Sequence, residues 1–126
     1  MTRYKSQGLN NTFKNARKGF NLAVRSEVNI RIHVTVATFV ILLAFYLKFS
    51  VVEFCIVLFA IALVICSEML NTAIEFALDS IYHNRYSRMV GMAKDISAGA
   101  VMFATVISVI IGILLFGSKI LPLVLQ

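Results

Sequence analysis

Charged residues leave three long gaps in this chain, at 32–47, 54–67 and 96–118. The third gap is 23 residues long. A helix needs roughly 20 apolar residues to cross a hydrocarbon core of about 30 Å, so this segment spans unaided. The first gap reaches that length when His33 and Lys48 extend to the two interfaces and Tyr46 anchors one of them. The second becomes long enough only if its helix continues through Glu68, Asn71 and Glu75 towards Asp79. The pattern predicts spans at about 32–49, 52–78 and 95–118 within one domain covering 1–126. It also predicts two carboxylates and an amide at, or just inside, the membrane boundary.

Upstream, Leu9, Phe13, Ala16, Phe20 and Val24 recur at steps of three and four, while Lys14, Arg17, Lys18 and Arg25 fall on other faces. This predicts an amphipathic helix over about 9–27, capped by Asn11 or Thr12 and lying in the membrane surface. A short loop at 48–53 makes the first two spans an antiparallel hairpin. A longer linker, roughly 80–93, carries His83, Arg85 and Arg88. Pro122 follows the last span and suits the end of the chain. Ala100, Ala104, Ser108 and Gly112 put small residues on one face of that span. Such a stripe fits close packing within one bundle and between subunits equally.

Composition turns this pattern into a fold class. Sixty per cent of residues are hydrophobic, 14% are charged, and the mean hydropathy is +0.87. Soluble domains carry about 25% charged residues. These values exclude an ordinary soluble enzyme, a disordered protein and a free nucleic-acid binder. The expectation is an all-α integral membrane protein with a surface helix and three transmembrane helices.

The net charge of +6 arises entirely within residues 1–31, where Arg3, Lys5, Lys14, Arg17, Lys18, Arg25 and Arg31 face the single acid Glu27. Attached to an apolar body, such an arm suits anionic lipid headgroups better than nucleic acid. The positive-inside rule keeps it in the cytoplasm, which puts the Lys48 loop outside the plasma (inner) membrane and the Arg85 linker inside. The N-terminus does not read as a cleavable signal, because the first uncharged stretch begins too late. Cys55 and Cys66 lack the spacing and neighbours of a zinc site and read as buried, unreactive thiols.

Candidate chemistry sits at the cytoplasmic end. Glu68, Asn71 and Glu75 stack on one helical face over two turns, and Asp79 extends the row. Carboxylates near hydrocarbon are expensive and are retained where they face a bundle interior, an ion or a reacting group. Lys94 and Asp95 open the third span near the same level, and Glu27 can approach from the end of the surface helix. Two readings stand. The cluster suits a hard cation and a phosphate, with carboxylate oxygens for Mg²⁺, an ammonium for phosphate and one carboxylate left as a general base. Alternatively, Glu68 and Glu75 pair with Lys94 or Arg25 and merely hold helices together. No P-loop or Rossmann fingerprint occurs.

The run Glu68, Asn71, Thr72, Ala73 and Glu75, followed by Asp79 and by Ala93, Lys94 and Asp95, closely resembles the prokaryotic diacylglycerol kinase family. The stretch Glu27, Asn29, Arg31 and His33 resembles the branch that includes undecaprenol kinases. The likeness covers roughly 13–116. It implies a homotrimer of three-span subunits that transfers the γ-phosphate of Mg-ATP to a membrane-lipid alcohol at sites shared between neighbouring chains. It further implies Glu68 as catalytic base and Glu27 and Glu75 as metal ligands. Glu27, Asn71, Glu75, Lys94 and Asp95 become the nucleotide-binding set. The surface helix matches only loosely around Asn15, Arg17 and Lys18. His33 reads as an interfacial anchor, with participation in the site as the second reading, and Arg85 and Arg88 as solvated or lipid-facing, with contact to phosphates as the second.

The expected activity is therefore that of a phosphotransferase acting on undecaprenol or diacylglycerol. A small proton-coupled transporter using Glu68 or Glu75 is the alternative, and a helical subunit without chemistry is a third reading.

Overall fold

The computed structural model describes residues 8–83, 85 and 87–125, so Arg3 and Lys5 of the basic arm lie outside the described residues. Four helices follow one another: α1 (Leu9–Ser26), α2 (Val28–Tyr46), α3 (Val51–Tyr82) and α4 (Arg88–Val124). No strand occurs among the described residues. Three of the helices, α2, α3 and α4, are long and apolar enough to cross a membrane.

Helix boundaries depart from the charge-free gaps because a charged side chain does not break a helix. At 32 and 37 residues, α3 and α4 run about 48 and 55 Å, well beyond a core of about 30 Å. The linker expected over 80–93 shrinks to 83–87, and Arg88, Lys94 and Asp95 all lie on α4. Pro122 sits inside the last turn of α4. The cap of α1 is also corrected. Gly8 holds the extended N-cap conformation and its carbonyl accepts from the N–H groups of Asn11 and Thr12, which places both expected caps inside the helix.

The turns have local causes. Glu27 ends α1 and begins α2 in extended geometry, with its N–H on the carbonyl of Ala23. After α2, Lys48 takes a left-handed φ of 53° and the N–H groups of Lys48 and Phe49 reach back to Phe45 and Ala44. That is the hydrogen-bond pattern of a Schellman stop. Ser50 and Glu53 then form a reciprocal capping box that starts α3, with Ser50 N–H to Glu53 Oε2 at 2.7 Å. His83, with φ 49°, ends α3.

The core is a seam between α3 and α4, which share the most extensive helix contact. Val57, Ala60, Val64, Glu68 and Thr72 line it from α3, and Val90, Ser97, Val101 and Ala104 from α4. Ion pairs set its antiparallel register near both ends. Lys119 lies 3.1 Å from Glu53, and Lys94 lies 2.6 Å from Asp79. Between them the Ser108 hydroxyl donates to the carbonyl of Ala60 at 3.1 Å.

Ala104 and Ser108 of the small-residue stripe thus serve packing within the chain. Ala100 is exposed, however, and a Cβ on Gly112 would meet nothing. Cys55 and Cys66 are exposed rather than buried, because they fall on the side of α3 away from this seam. The accessible surface of 10075 Å² far exceeds the roughly 6,700 Å² that a compact soluble chain of 14.0 kDa presents. The excess carries many large apolar side chains, including Phe39, Phe59 and Phe103.

Candidate active site on the polar face of α3

Glu68, Asn71, Thr72, Glu75 and Asp79 lie on one uninterrupted helix. Measured along its axis from Val51, Glu68 is about 26 Å up α3 and Glu75 about 36 Å. With the α2–α3 turn at one interface, the far edge of a core of about 30 Å falls between them. By length alone, Glu68 falls inside a segment of about 30 Å measured from Val51, and Glu75 and Asp79 fall beyond it.

Burial sharpens the contrast. Glu68 is only 5% exposed, as is Thr72 one turn along, and Ser97 of α4 is buried too. Each acid on this face has its own partner. His33 of α2 brings Nε2 to 3.6 Å from Oε1 of Glu68. The Asn71 Nδ2 donates to Oε1 of Glu75 at 3.1 Å, and Lys94 Nζ donates to Oδ1 of Asp79 at 2.6 Å. The pairing of Glu68 or Glu75 with Lys94 or Arg25 that residue types allowed is therefore not how the chain is held. Lys94 goes to Asp79, and near Arg25 the contact is from Arg31 Nη1 to the Arg25 carbonyl.

Glu27 occupies the α1–α2 elbow, half-buried, and Asp95 follows Lys94 on α4 with its side chain exposed. Neither makes a side-chain hydrogen bond or ion pair with the described residues. Arg17 and Lys18 lie on the exposed surface of α1, and Arg85 and Arg88 are exposed near the start of α4.

The donor set bears on metal binding. Among the described residues no three His, Cys, Asp or Glu side chains gather around one point, so a single chain does not build a self-contained cage. The Asn71 Oδ1, however, is buried without a hydrogen-bond partner beside the Glu75 carboxylate. A carboxylate next to an orphaned amide oxygen fits a hard cation that takes its remaining ligands from phosphate and water, as Mg²⁺ does.

Three side chains are placed by the structure rather than by sequence reasoning. Thr72 and Ser97 lie on the buried seam, and the four-residue step from Val64 through Glu68 to Thr72 is the signal that marks the first of them. His33 is the third. Its position in a charge-free segment favoured an anchor over a participant, and only the packing of α2 on α3 brings it to Glu68. His33 also borders an apolar cavity of about 350 Å³ between α2, α3 and α4, lined by Val36, Val57, Val64 and Val109 among others.

Residues 14–116 match the sequence family described as prokaryotic diacylglycerol kinase. The chain is similar to an undecaprenol kinase of Bacillus subtilis, 36% identical over 108 residues, or 86% of this chain and 87% of that protein. It is 33% identical over 101 residues to a diacylglycerol kinase of Synechocystis, covering 80% of this chain and 58% of that one. A diacylglycerol kinase of Haemophilus influenzae is 32% identical over 118 residues, 90% of this chain and 99% of its own length.

Proposed function

The chain belongs to the prokaryotic diacylglycerol kinase family of membrane lipid kinases, and from that premise we propose that it transfers the γ-phosphate of Mg-ATP to the hydroxyl of undecaprenol or diacylglycerol. The observation that carries the reading is the buried Glu68, about one turn from Asn71 and two from its partner Glu75 on the same face of α3. An acid at the edge of the hydrocarbon can meet a lipid hydroxyl, while polar groups about 10 Å further along the axis can meet a nucleotide.

In this reading Glu68 is the catalytic base. It takes the acceptor's hydroxyl proton as that oxygen bonds to the γ-phosphorus and the bond from the γ-phosphorus to the ADP oxygen breaks. Glu27 and Glu75 would hold Mg²⁺, which when bound neutralises charge on the phosphates. Asn71, Lys94 and Asp95 complete the nucleotide-binding set, with the Lys94 ammonium attracted to phosphate oxygens. Phosphoryl transfer rests on such positioning and charge neutralisation more than on covalent chemistry.

The basic α1 lies on the cytoplasmic surface, apolar side down, so that ATP arrives from the cytoplasm and the lipid arrives laterally. A homotrimer completes the site. The incomplete metal cage within one chain and the large exposed apolar surface both support shared sites. No observation favours a proton-coupled transporter.

The test gives purified protein in mixed micelles labelled Mg-ATP with undecaprenol or diacylglycerol in separate reactions. Labelled lipid from one acceptor identifies the substrate. With folding verified, no labelled lipid from either removes the kinase reading.

A further inference from the structure

Glu68 presents a physical problem that its own helix does not solve. A carboxylate with 5% of its surface exposed needs a partner, because an unpaired buried charge costs several kcal/mol. Asn71 of the α3 row donates its N–H to Glu75, and among the described residues neither Thr72 nor Ser97 hydrogen-bonds to Glu68. Lys94 is engaged with Asp79. What remains is an imidazole from a different helix, His33 on α2, with its Nε2 3.6 Å from Oε1 of Glu68 and a quarter of its side chain exposed.

We propose that His33 is the positioning residue for Glu68. Its Nε2–H holds one carboxylate oxygen, leaving the other to receive the hydroxyl proton of the acceptor lipid. The inference rests on the lipid-kinase reading above and adds to it a residue outside the assigned site.

Two features support this assignment over that of an interfacial anchor. The 3.6 Å separation is longer than a hydrogen bond, but hydrogen bonds to catalytic groups are often loose before substrate binds and tighten in the complex. His33 also borders the apolar cavity between α2, α3 and α4, so it stands where that greasy volume meets the buried acid. A carboxyl group has two equivalent oxygens and free rotation about its last bond. Fixing one oxygen from a second helix removes that freedom and makes the base's aim depend on how α2 packs against α3.

The test compares wild type with His33→Leu and His33→Gln for lipid phosphorylation, with size-exclusion profiles confirming the fold. Loss of the positioning donor lowers kcat about tenfold or more in His33→Leu while KM for ATP stays within about twofold, since the nucleotide groups lie elsewhere. Gln, which still carries an N–H donor, restores a substantial share of kcat. In a Glu68→Gln background, a further His33→Leu change leaves the residual rate unaltered, because the two residues act as one unit.

Unchanged kcat in His33→Leu overturns the proposal while leaving the kinase reading intact. Equal losses in the Leu and Gln variants, or independent losses with Glu68→Gln, also overturn it. A wild-type protein that labels neither lipid removes both readings together.

Discussion

The Lys94 ammonium sits 2.6 Å from the Asp79 carboxylate and ties the first turns of α4 to the last turns of α3, 15 residues away in sequence. Both side chains are more than a third exposed, so the pair contributes less than about 1 kcal/mol to stability. Its consequence is placement: it holds the ammonium at the end of the polar row.

Asp79→Asn therefore leaves thermal stability nearly unchanged and raises KM for ATP, by about three- to tenfold, with a smaller effect on kcat. Steady-state kinetics with varied ATP at saturating lipid measure this. An unaltered KM for ATP would show that Lys94 needs no such tether.

Glu68→Gln keeps the size and most of the polarity of the buried side chain but cannot take a proton. Turnover falls by about 10²–10⁴, the range general bases supply, while the protein still assembles. Labelled-lipid assays beside size-exclusion profiles check both halves. Substantial phosphorylation by the variant would refute the role of Glu68 as base.

Glu75→Gln removes the charge beside the orphaned Asn71 oxygen. The Mg²⁺ concentration for half-maximal activity rises by at least about tenfold, which a Mg²⁺ titration at fixed ATP reads directly. An unchanged Mg²⁺ dependence would count against Glu75 as a ligand.

The far end of the molecule supplies a control. Ser50→Ala removes half of the capping box that starts α3 and costs about 1 kcal/mol of stability, with kcat and KM unaffected. A lowered unfolding midpoint in detergent with wild-type kinetics is the expected result. Impaired kinetics would mean that the turn communicates with the opposite end of the bundle.

The charge-free gaps and the 3.6-residue period were enough to predict the helices and the three candidate spans, because hydrocarbon demands uninterrupted apolar length and internally bonded backbone. The row Glu68, Asn71 and Glu75 was equally legible, since residues on one helix share a face by local geometry alone. Helix ends were less so. Gly8, Lys48 and His83 stop or start helices through backbone conformation, which charge does not report.

What only the tertiary structure decided was which group meets which. Lys94 with Asp79, His33 with Glu68, and Ser108 with the Ala60 carbonyl join residues on different helices, and no period within one helix encodes them. The same holds for the outward face taken by Cys55 and Cys66 and for the burial of Thr72 and Ser97. Composition determines that helices enter a membrane, whereas the rotation and register with which they pack depend on side chains far apart in sequence. That packing determines which carboxylate is left buried with a single imidazole beside it.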